Sequence, residues 1–189
     1  EVEDIPAIAG RIEYLDEYLG GADSEDDSEF MFSILLFSIF IEHVSLFSQF
    51  LIMMAFDKET KRFKGIANAV EATSKEEQIH GLFGIELIKI IREEHPEWFG
   101  EEYREKVVAA CRKAHDAEQD VLDWIFEKGE LDFLPREVVD AFVEDKFNRS
   151  LENVGVDPIF DVDPDLLAET DWFRAEILTT KGNDFFSKR

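Results

Sequence analysis

The sequence predicts an all-α helical bundle, and three observations lead to this fold class. Apolar residues recur at helical spacing along most of the 189 residues, and no segment shows the strict alternation of a β-strand. Proline, glycine and polar turns divide the chain into periodic segments, followed by an irregular tail from Gly155. The segment from Phe30 to Phe56 is apolar nearly all round, which is typical of a helix at the centre of a bundle.

The composition excludes several classes of protein. With 20 Lys+Arg against 44 Asp+Glu, the formal net charge of −24 argues against binding to nucleic acid or to an anionic membrane surface. An apolar content of 45% excludes a wholly disordered chain. The single cysteine, Cys111, excludes an internal disulfide framework and a cysteine-based zinc cluster. We therefore expect one helical domain over residues 1–189.

Local signals place the boundaries of the helices. Gly20-Gly21 is expected to end the first helix, His95-Pro96 to close the third, and Pro135 to open the fifth. Residues 57–62 form a polar turn. The predicted helices cover about 8–19, 29–56, 63–94, 100–128 and 136–154, with a short one over 166–178.

The long apolar helix resembles a membrane span, but its uncharged runs are too short. Phe30 to Ile41 and Val44 to Phe56 contain 12 and 13 residues, against the ~18 needed. A charge at Glu42, in the middle, would be costly in lipid. We therefore expect a buried helix and no membrane. No signal peptide is expected from the acidic first residues, and the expected location is cytoplasmic.

The third predicted helix carries a Glu-x-x-His motif at Glu77 and His80. At this spacing both side chains point the same way, so a carboxylate and an imidazole can bind one metal ion. On its own, the motif also fits a surface pair. The two residues nevertheless align with a bundle-like inward stripe: Ile66, Val70, Thr73, Glu77, His80, Gly84, Leu87 and Ile91.

Glu42 is the one acidic residue between Phe30 and Phe56. It could pair with a basic side chain from another helix, or face Glu77 and His80 as a third ligand. Together the three make half of the ligand pattern of di-iron and di-manganese carboxylate bundles. Oxygen and imidazole ligands without thiolate suit iron or manganese. No other histidine completes a second Glu-x-x-His, so the remaining ligands must come from a second copy or a separate polypeptide.

These motifs and several longer stretches resemble the small (beta, radical-generating) subunit of class I ribonucleotide reductase. They follow the family's order and spacing over nearly the whole chain, and the C-terminal portion of that subunit is the part they match. The stretches are Ile41-Glu42-His43-Val44-Ser45-Leu46-Phe47-Ser48-Gln49-Phe50, Lys75-Glu76-Glu77-Gln78-Ile79-His80-Gly81, Asn148-Arg149-Ser150-Leu151-Glu152-Asn153-Val154-Gly155, Trp172-Phe173 and Asp184-Phe185-Phe186-Ser187-Lys188-Arg189.

The resemblance implies a ferritin-like helical bundle that another chain completes. Glu42 falls on the family's lone metal-ligand glutamate, and Glu77 and His80 fall on its second Glu-x-x-His, with Glu77 bridging two metal ions. The implied cofactors are two ions of iron, manganese or both. The family's first carboxylate ligand, first Glu-x-x-His and radical tyrosine would come from an N-terminal half as partner.

Three further residues receive roles from the resemblance. Leu46 and Phe50 fall on the hydrophobic pocket beside the family's radical site, where phenylalanine is usual in place of Leu46. Glu76 falls on the path for proton-coupled electron transfer, where the family usually has aspartate. The implied activity is that of a ribonucleoside-diphosphate reductase small subunit, with a catalytic large subunit as further partner and a higher-order oligomer as the expected state.

Two other functions remain open from the residues alone. One is a homodimeric di-metal carboxylate oxidase or metal-binding bundle, in which two copies of Glu42, Glu77 and His80 would have to meet. The other is a non-catalytic helical scaffold, in which the two glutamates would have to be neutral or paired.

Overall fold

A computed structural model describes residues 4–178, and nearly all of its regular structure is helical. A π-helix, Phe37–Ser45, joins α2 to α3, and one isolated β-bridge pairs Leu131 with Leu134. The all-α prediction is confirmed. Residues 184–189, part of the family resemblance, lie outside the described range. The α-helices are α1 (Pro6–Leu19), α2 (Asp27–Leu36), α3 (Phe47–Thr60), α4 (Lys64–Glu94), α5 (Glu101–Ile125), α6 (Arg136–Asn153), α7 (Pro164–Ala168) and α8 (Asp171–Leu178).

Several helix ends lie where the sequence predicts them. Helix α2 is an exception: it begins two residues before the predicted position 29, where the side chain of Asp26 accepts hydrogen bonds from the backbone N–H groups of Ser28 and Glu29 and caps the helix. Helix α4 ends at Glu94, directly before His95-Pro96, and α6 begins directly after Pro135. These signals act on the backbone within a few residues, so they operate independently of the tertiary fold.

The long apolar segment differs from the single α-helix of the prediction. It is α-helical, then π-helical over Phe37–Ser45, then α-helical again to Thr60, four residues beyond the predicted end at Phe56. The following turn is tight because Lys61 and Phe63 both adopt positive φ angles, of 58° and 63°. The predicted helix over 166–178 is two helices, α7 and α8.

The core lies where the π-helix meets α4 and α6, while α1 packs on α5. It is rich in phenylalanine, with Phe40, Phe47, Phe142, Phe147 and Phe173 all fully buried. The stretch Asp27–Thr60 is long and apolar enough to cross a membrane by composition, yet 61% of its most apolar window is buried inside the bundle. Such burial is the property of a core helix, as the sequence predicts.

A buried ion pair ties three helices together. Arg11 on α1 donates from Nη2 to Oε1 of Glu118 on α5 at 2.5 Å, and Ser48 on α3 donates to Oε2 at 3.3 Å. Burial raises the pKa of Glu118 to about 7, and Arg11 opposes that rise. Nothing in the local sequence indicates this pair, because its members lie 107 residues apart.

Candidate metal centre

Close packing of α4 on the π-helix brings the candidate ligands together. A Cβ atom added at Gly81 would lie 3.2 Å from Cβ of His43, and one added at Gly84 would overlap Cβ and Oγ of Ser38. At Gly84 only glycine therefore permits this separation of the two backbones, and at Gly81 a larger residue would meet a tight contact. Glu77 and His80 precede Gly81 on α4, and Glu42 precedes His43 on the π-helix, so the contact sets the ligands opposite one another.

Glu42, Glu77 and His80 converge. Each offers one ligand atom, and these atoms lie within 4.8 Å of one another. Nδ1 of His80 is 3.2 Å from Oε2 of Glu77 and 3.5 Å from Oε2 of Glu42. Donors bound to a single ion at ~2.0–2.2 Å are separated by at most ~4.4 Å, so small side-chain adjustments suffice for shared ligation. The donor set therefore fits iron or manganese.

The electrostatics of the cluster also suit a cation. Burial raises the pKa of Glu42 to about 7, and its hydrogen bond with Glu77 adds to that rise. The same hydrogen bond lowers the pKa of Glu77, and the hydrogen bond to Glu77 raises that of His80. The raised pKa favours a proton on Glu42, and a metal ion bound at the cluster can replace that proton. No Lys or Arg among residues 4–178 makes an ion pair with Glu42.

The predicted inward stripe of α4 is partly wrong. Ile66 and Thr73 are exposed, the side chain of His80 is 60% exposed, and Glu77 is half-buried. Gly81 and Gly84 allow the closest approach to the π-helix, so the face of α4 that carries them packs against it. Helix α4 is therefore rotated about its own axis relative to the predicted orientation. The buried residues of α4 are Ala67, Val70, Ser74, Gly81, Gly84, Ile85 and Ile88.

The three residues assigned by resemblance to a pocket and a transfer path lie in different surroundings. Phe50 is buried and packs edge-on against Phe47, with ring centroids 5.5 Å apart. Leu46 is 38% exposed, and Glu76 is exposed on α4. Their roles remain predictions.

Long-range contacts bring in residues that the sequence analysis missed. Burial lowers the pKa of His43 to about 3, and its Nδ1 lies 2.8 Å from Oγ of Ser150 on α6. Lys146, also on α6, is buried with Nζ 3.7 Å from the centre of the Phe47 ring. Tyr14 is distant in sequence from the motifs, yet its hydroxyl is 2.5 Å from Oγ of Ser45 on the π-helix. Among these residues, His43 is the one that the sequence could have singled out, because it is a polar residue inside an apolar helix.

Comparison with known proteins places the chain in a family. A family model, "Ribonucleotide reductase, small chain", matches residues 1–166. The ribonucleoside-diphosphate reductase subunit beta of Chlamydia pneumoniae is 29% identical over 149 residues, which are 79% of this chain and 42% of that protein.

A solved structure from Bacillus halodurans, named as a "putative class I ribonucleotide reductase", has the same fold. The TM-score is 0.74 at 18% identity, over 81% of this chain and 48% of that one. The chain thus spans less than half the length of these relatives. Because the family model matches most of the chain, this protein belongs to the ribonucleotide reductase small-chain family.

Proposed function

We propose that this chain is the C-terminal portion of a radical-generating ribonucleotide reductase small subunit and supplies half of its di-metal site. The convergence of Glu42, Glu77 and His80 within 4.8 Å carries the proposal. The proposed cofactors are two ions of iron, manganese or both. When bound, they supply the oxygen and electron-transfer chemistry.

A count of ligands supports a partner chain. A di-metal carboxylate bundle uses about six protein ligands, and this cluster offers three. It is also the one group of three or more candidate ligands among the described residues. We propose that an N-terminal half of the small subunit provides the others, together with the oxidisable tyrosine. This chain has no tyrosine between Ala22 and Glu102.

An uncovered apolar surface next to the cluster supports the same partner. Ile79, Leu82, Phe83 and Ile90, here called the open face of α4, are all exposed, and Phe83 is 71% exposed. Phe83 lies one helical turn after His80, so a helix packed on the open face would also cover that imidazole. Patches of this kind mark interaction sites. The relatives have more than half of their length left to provide such helices.

The chain's own residues have distinct proposed roles. Glu42, Glu77 and His80 would hold the ions through carboxylate oxygens and a ring nitrogen, with Glu77 shared between the two ions as the family resemblance implies. Phe50 and Leu46 keep water from the radical site, and Glu76 lies on the path for proton-coupled electron transfer. The product of the site is an oxidising equivalent, passed to a catalytic large subunit that reduces ribonucleotides to deoxyribonucleotides. We propose a cytoplasmic location, with no nucleic-acid or membrane partner.

The test compares this chain alone with this chain co-expressed with the N-terminal half of a small subunit. Metal content, the electron paramagnetic resonance spectrum after exposure to oxygen, and turnover with the large subunit are measured. We expect two ions, a radical and turnover from the pair, and none of the three from the chain alone. The pair with Glu77→Gln should assemble but lose the metal.

Two results would contradict the proposal. One is a persistent radical and ribonucleotide reduction from this chain by itself. The other is a homodimer that binds two ions and consumes oxygen but does not support the large subunit, which would favour the oxidase alternative.

A further inference from the structure

His43 lies on the π-helix, and its side chain is packed close to α4, the other helix that carries candidate ligands. It directly follows Glu42, yet its side chain is buried and reaches α6, where Nδ1 lies 2.8 Å from Oγ of Ser150. The side chain of Glu42, one residue earlier, lies with Glu77 and His80 instead. Adjacent residues of the π-helix thus contact different helices.

The same imidazole lies against α4. A Cβ atom added at Gly81 would be 3.2 Å from Cβ of His43 and 3.3 Å from its Cδ2. Gly81 directly follows His80. The side chain of His43 therefore lies close to the residue that follows one candidate ligand, and His43 itself follows the other, Glu42.

Ser150 restricts the movement of this ring. The hydrogen bond joins buried partners 107 residues apart, and α6 packs against the π-helix. The ring also contacts Phe47, with centroids 6.5 Å apart. Without the hydroxyl of Ser150, one ring nitrogen would lose its partner in a buried site, and the imidazole would be free to turn.

We propose that His43, held by Ser150, is a positioning residue that sets the separation between Glu42 and His80 and so the affinity of the site for metal. This inference rests on the proposed metal-binding function. It assigns an influence on metal affinity to His43 and Ser150, which are not themselves candidate ligands. Groups that orient metal ligands from outside change metal affinity by ~10- to 100-fold when they are removed.

The test uses this chain co-expressed with the N-terminal half of a small subunit, and Mn²⁺ alone is the probe. Bound and free Mn²⁺ are separated by electron paramagnetic resonance in wild type and in Ser150→Ala, Ser150→Thr, Tyr103→Phe and Glu77→Ala. Glu77→Ala identifies the part of the binding that belongs to this site, which is necessary in a chain with 44 acidic residues. Thermal unfolding without metal is measured for every variant.

Tyr103→Phe is the matched control. It removes another buried hydroxyl, which donates to the backbone oxygen of Val154 at 3.4 Å, far in sequence from the ligands. We expect Ser150→Ala to weaken Mn²⁺ binding on the order of tenfold. Ser150→Thr, which keeps a hydroxyl, should restore the affinity. Tyr103→Phe should lower stability and leave affinity unchanged.

The outcomes separate this inference from the function on which it rests. If wild type and Glu77→Ala bind Mn²⁺ equally, the metal site itself is refuted, and the positioning role with it. If wild type binds through Glu77 and Ser150→Ala binds as tightly, the positioning role alone is overturned. The same holds if Tyr103→Phe weakens binding as much as Ser150→Ala, because general destabilisation would then explain the loss.

Discussion

Glu42 and Glu77 are chemically alike, but their environments make them unequal. Burial raises the pKa of Glu42, whereas the hydrogen bond from Glu42 lowers that of Glu77. Glu77 is also the closer of the two to Nδ1 of His80, at 3.2 Å against 3.5 Å. Glu77 is therefore the carboxylate better placed to remain ionised, which agrees with the bridging role proposed for it.

We expect Glu77→Ala to reduce the number of bound metal ions more than Glu42→Ala. A bridging carboxylate contacts two ions and a terminal one contacts a single ion, so the first variant should approach zero and the second keep part of its metal. Metal analysis of the assembled subunit measures the difference. Glu76→Ala, which removes the neighbouring exposed carboxylate, is the control and should keep its metal. Equal retention in the first two variants would count against bridging.

Lys146 is the other unusual residue, since burial lowers the pKa of its amine to about 7, against an ordinary value of 10.5. The ammonium lies over the ring of Phe47 and makes no ion pair with a described carboxylate. The folded chain therefore binds fewer protons here than the unfolded chain between pH 7 and pH 10.5. Its contribution to stability must rise with pH across that window.

We expect Lys146→Met to remove this rise. The free energy of unfolding of the wild type, relative to the variant, should increase by up to about 1.4 kcal/mol per pH unit above pH 7. Urea unfolding at pH 7 and pH 9 measures it. Lys89→Met, at an exposed position on α4, is the control and should follow the wild type. Parallel curves for wild type and Lys146→Met would show that the buried amine is not shifted.

At the scale of elements, the spacing between α4 and the π-helix is the feature on which the site depends. Gly84 lies against Ser38, and Gly81 lies against His43. A side chain at Gly84 would overlap Ser38, so α4 or Ser38 would have to move, and the candidate ligands of α4 would move with that helix. The distance between α4 and the π-helix therefore sets the distances between the candidate ligands on them.

Gly84→Ala should destabilise the chain by about 1–3 kcal/mol and weaken metal binding, because the added methyl group overlaps Ser38. Gly65→Ala is the matched control on the same helix, since a Cβ there meets nothing within 4 Å. That change should be neutral or stabilise by up to about 1 kcal/mol. Combining Gly84→Ala with Ser38→Gly should restore binding. Chemical unfolding and Mn²⁺ titration test all three, and full affinity in Gly84→Ala would refute the spacing argument.

At the scale of the molecule, the net charge of −24 and the open face of α4 have opposite effects on association with other chains. Like charges keep copies of the chain apart, whereas the exposed residues of the open face favour association. The cluster lies beside this face and shares its exposure through His80. We therefore expect that binding of the N-terminal half covers the open face and completes the set of metal ligands in one step.

Phe83→Ser should abolish assembly with the N-terminal half while preserving the fold of this chain. The side chain is 71% exposed, so its removal costs little internal packing. Size-exclusion chromatography of the mixture measures assembly, and circular dichroism measures the fold. Trp124→Ser, at an exposed position on α5, is the control and should assemble normally. Assembly by Phe83→Ser would place the partner on another surface.

The parts of the site that the sequence predicts are those encoded within one helix. The i, i+3 spacing of Glu77 and His80 and the isolated charge of Glu42 are enough to predict that the three converge, and the structure brings them together. The inward stripe of α4 is predicted less well: Val70 and Gly84 are buried, whereas Ile66 and Thr73 are exposed. Helical periodicity identifies an apolar face but does not say which neighbour the face contacts.

The sequence by itself determined the all-α class, the helix ends at His95-Pro96 and Pro135, and the candidate ligands, because caps, proline and helical spacing act over a few residues. The tertiary structure alone decided the π-helix, the rotation of α4 and the contact between His43 and Ser150. Each of these depends on packing between segments far apart in the chain. Such packing follows from the shapes of the surfaces that meet, here two glycines against Ser38 and His43.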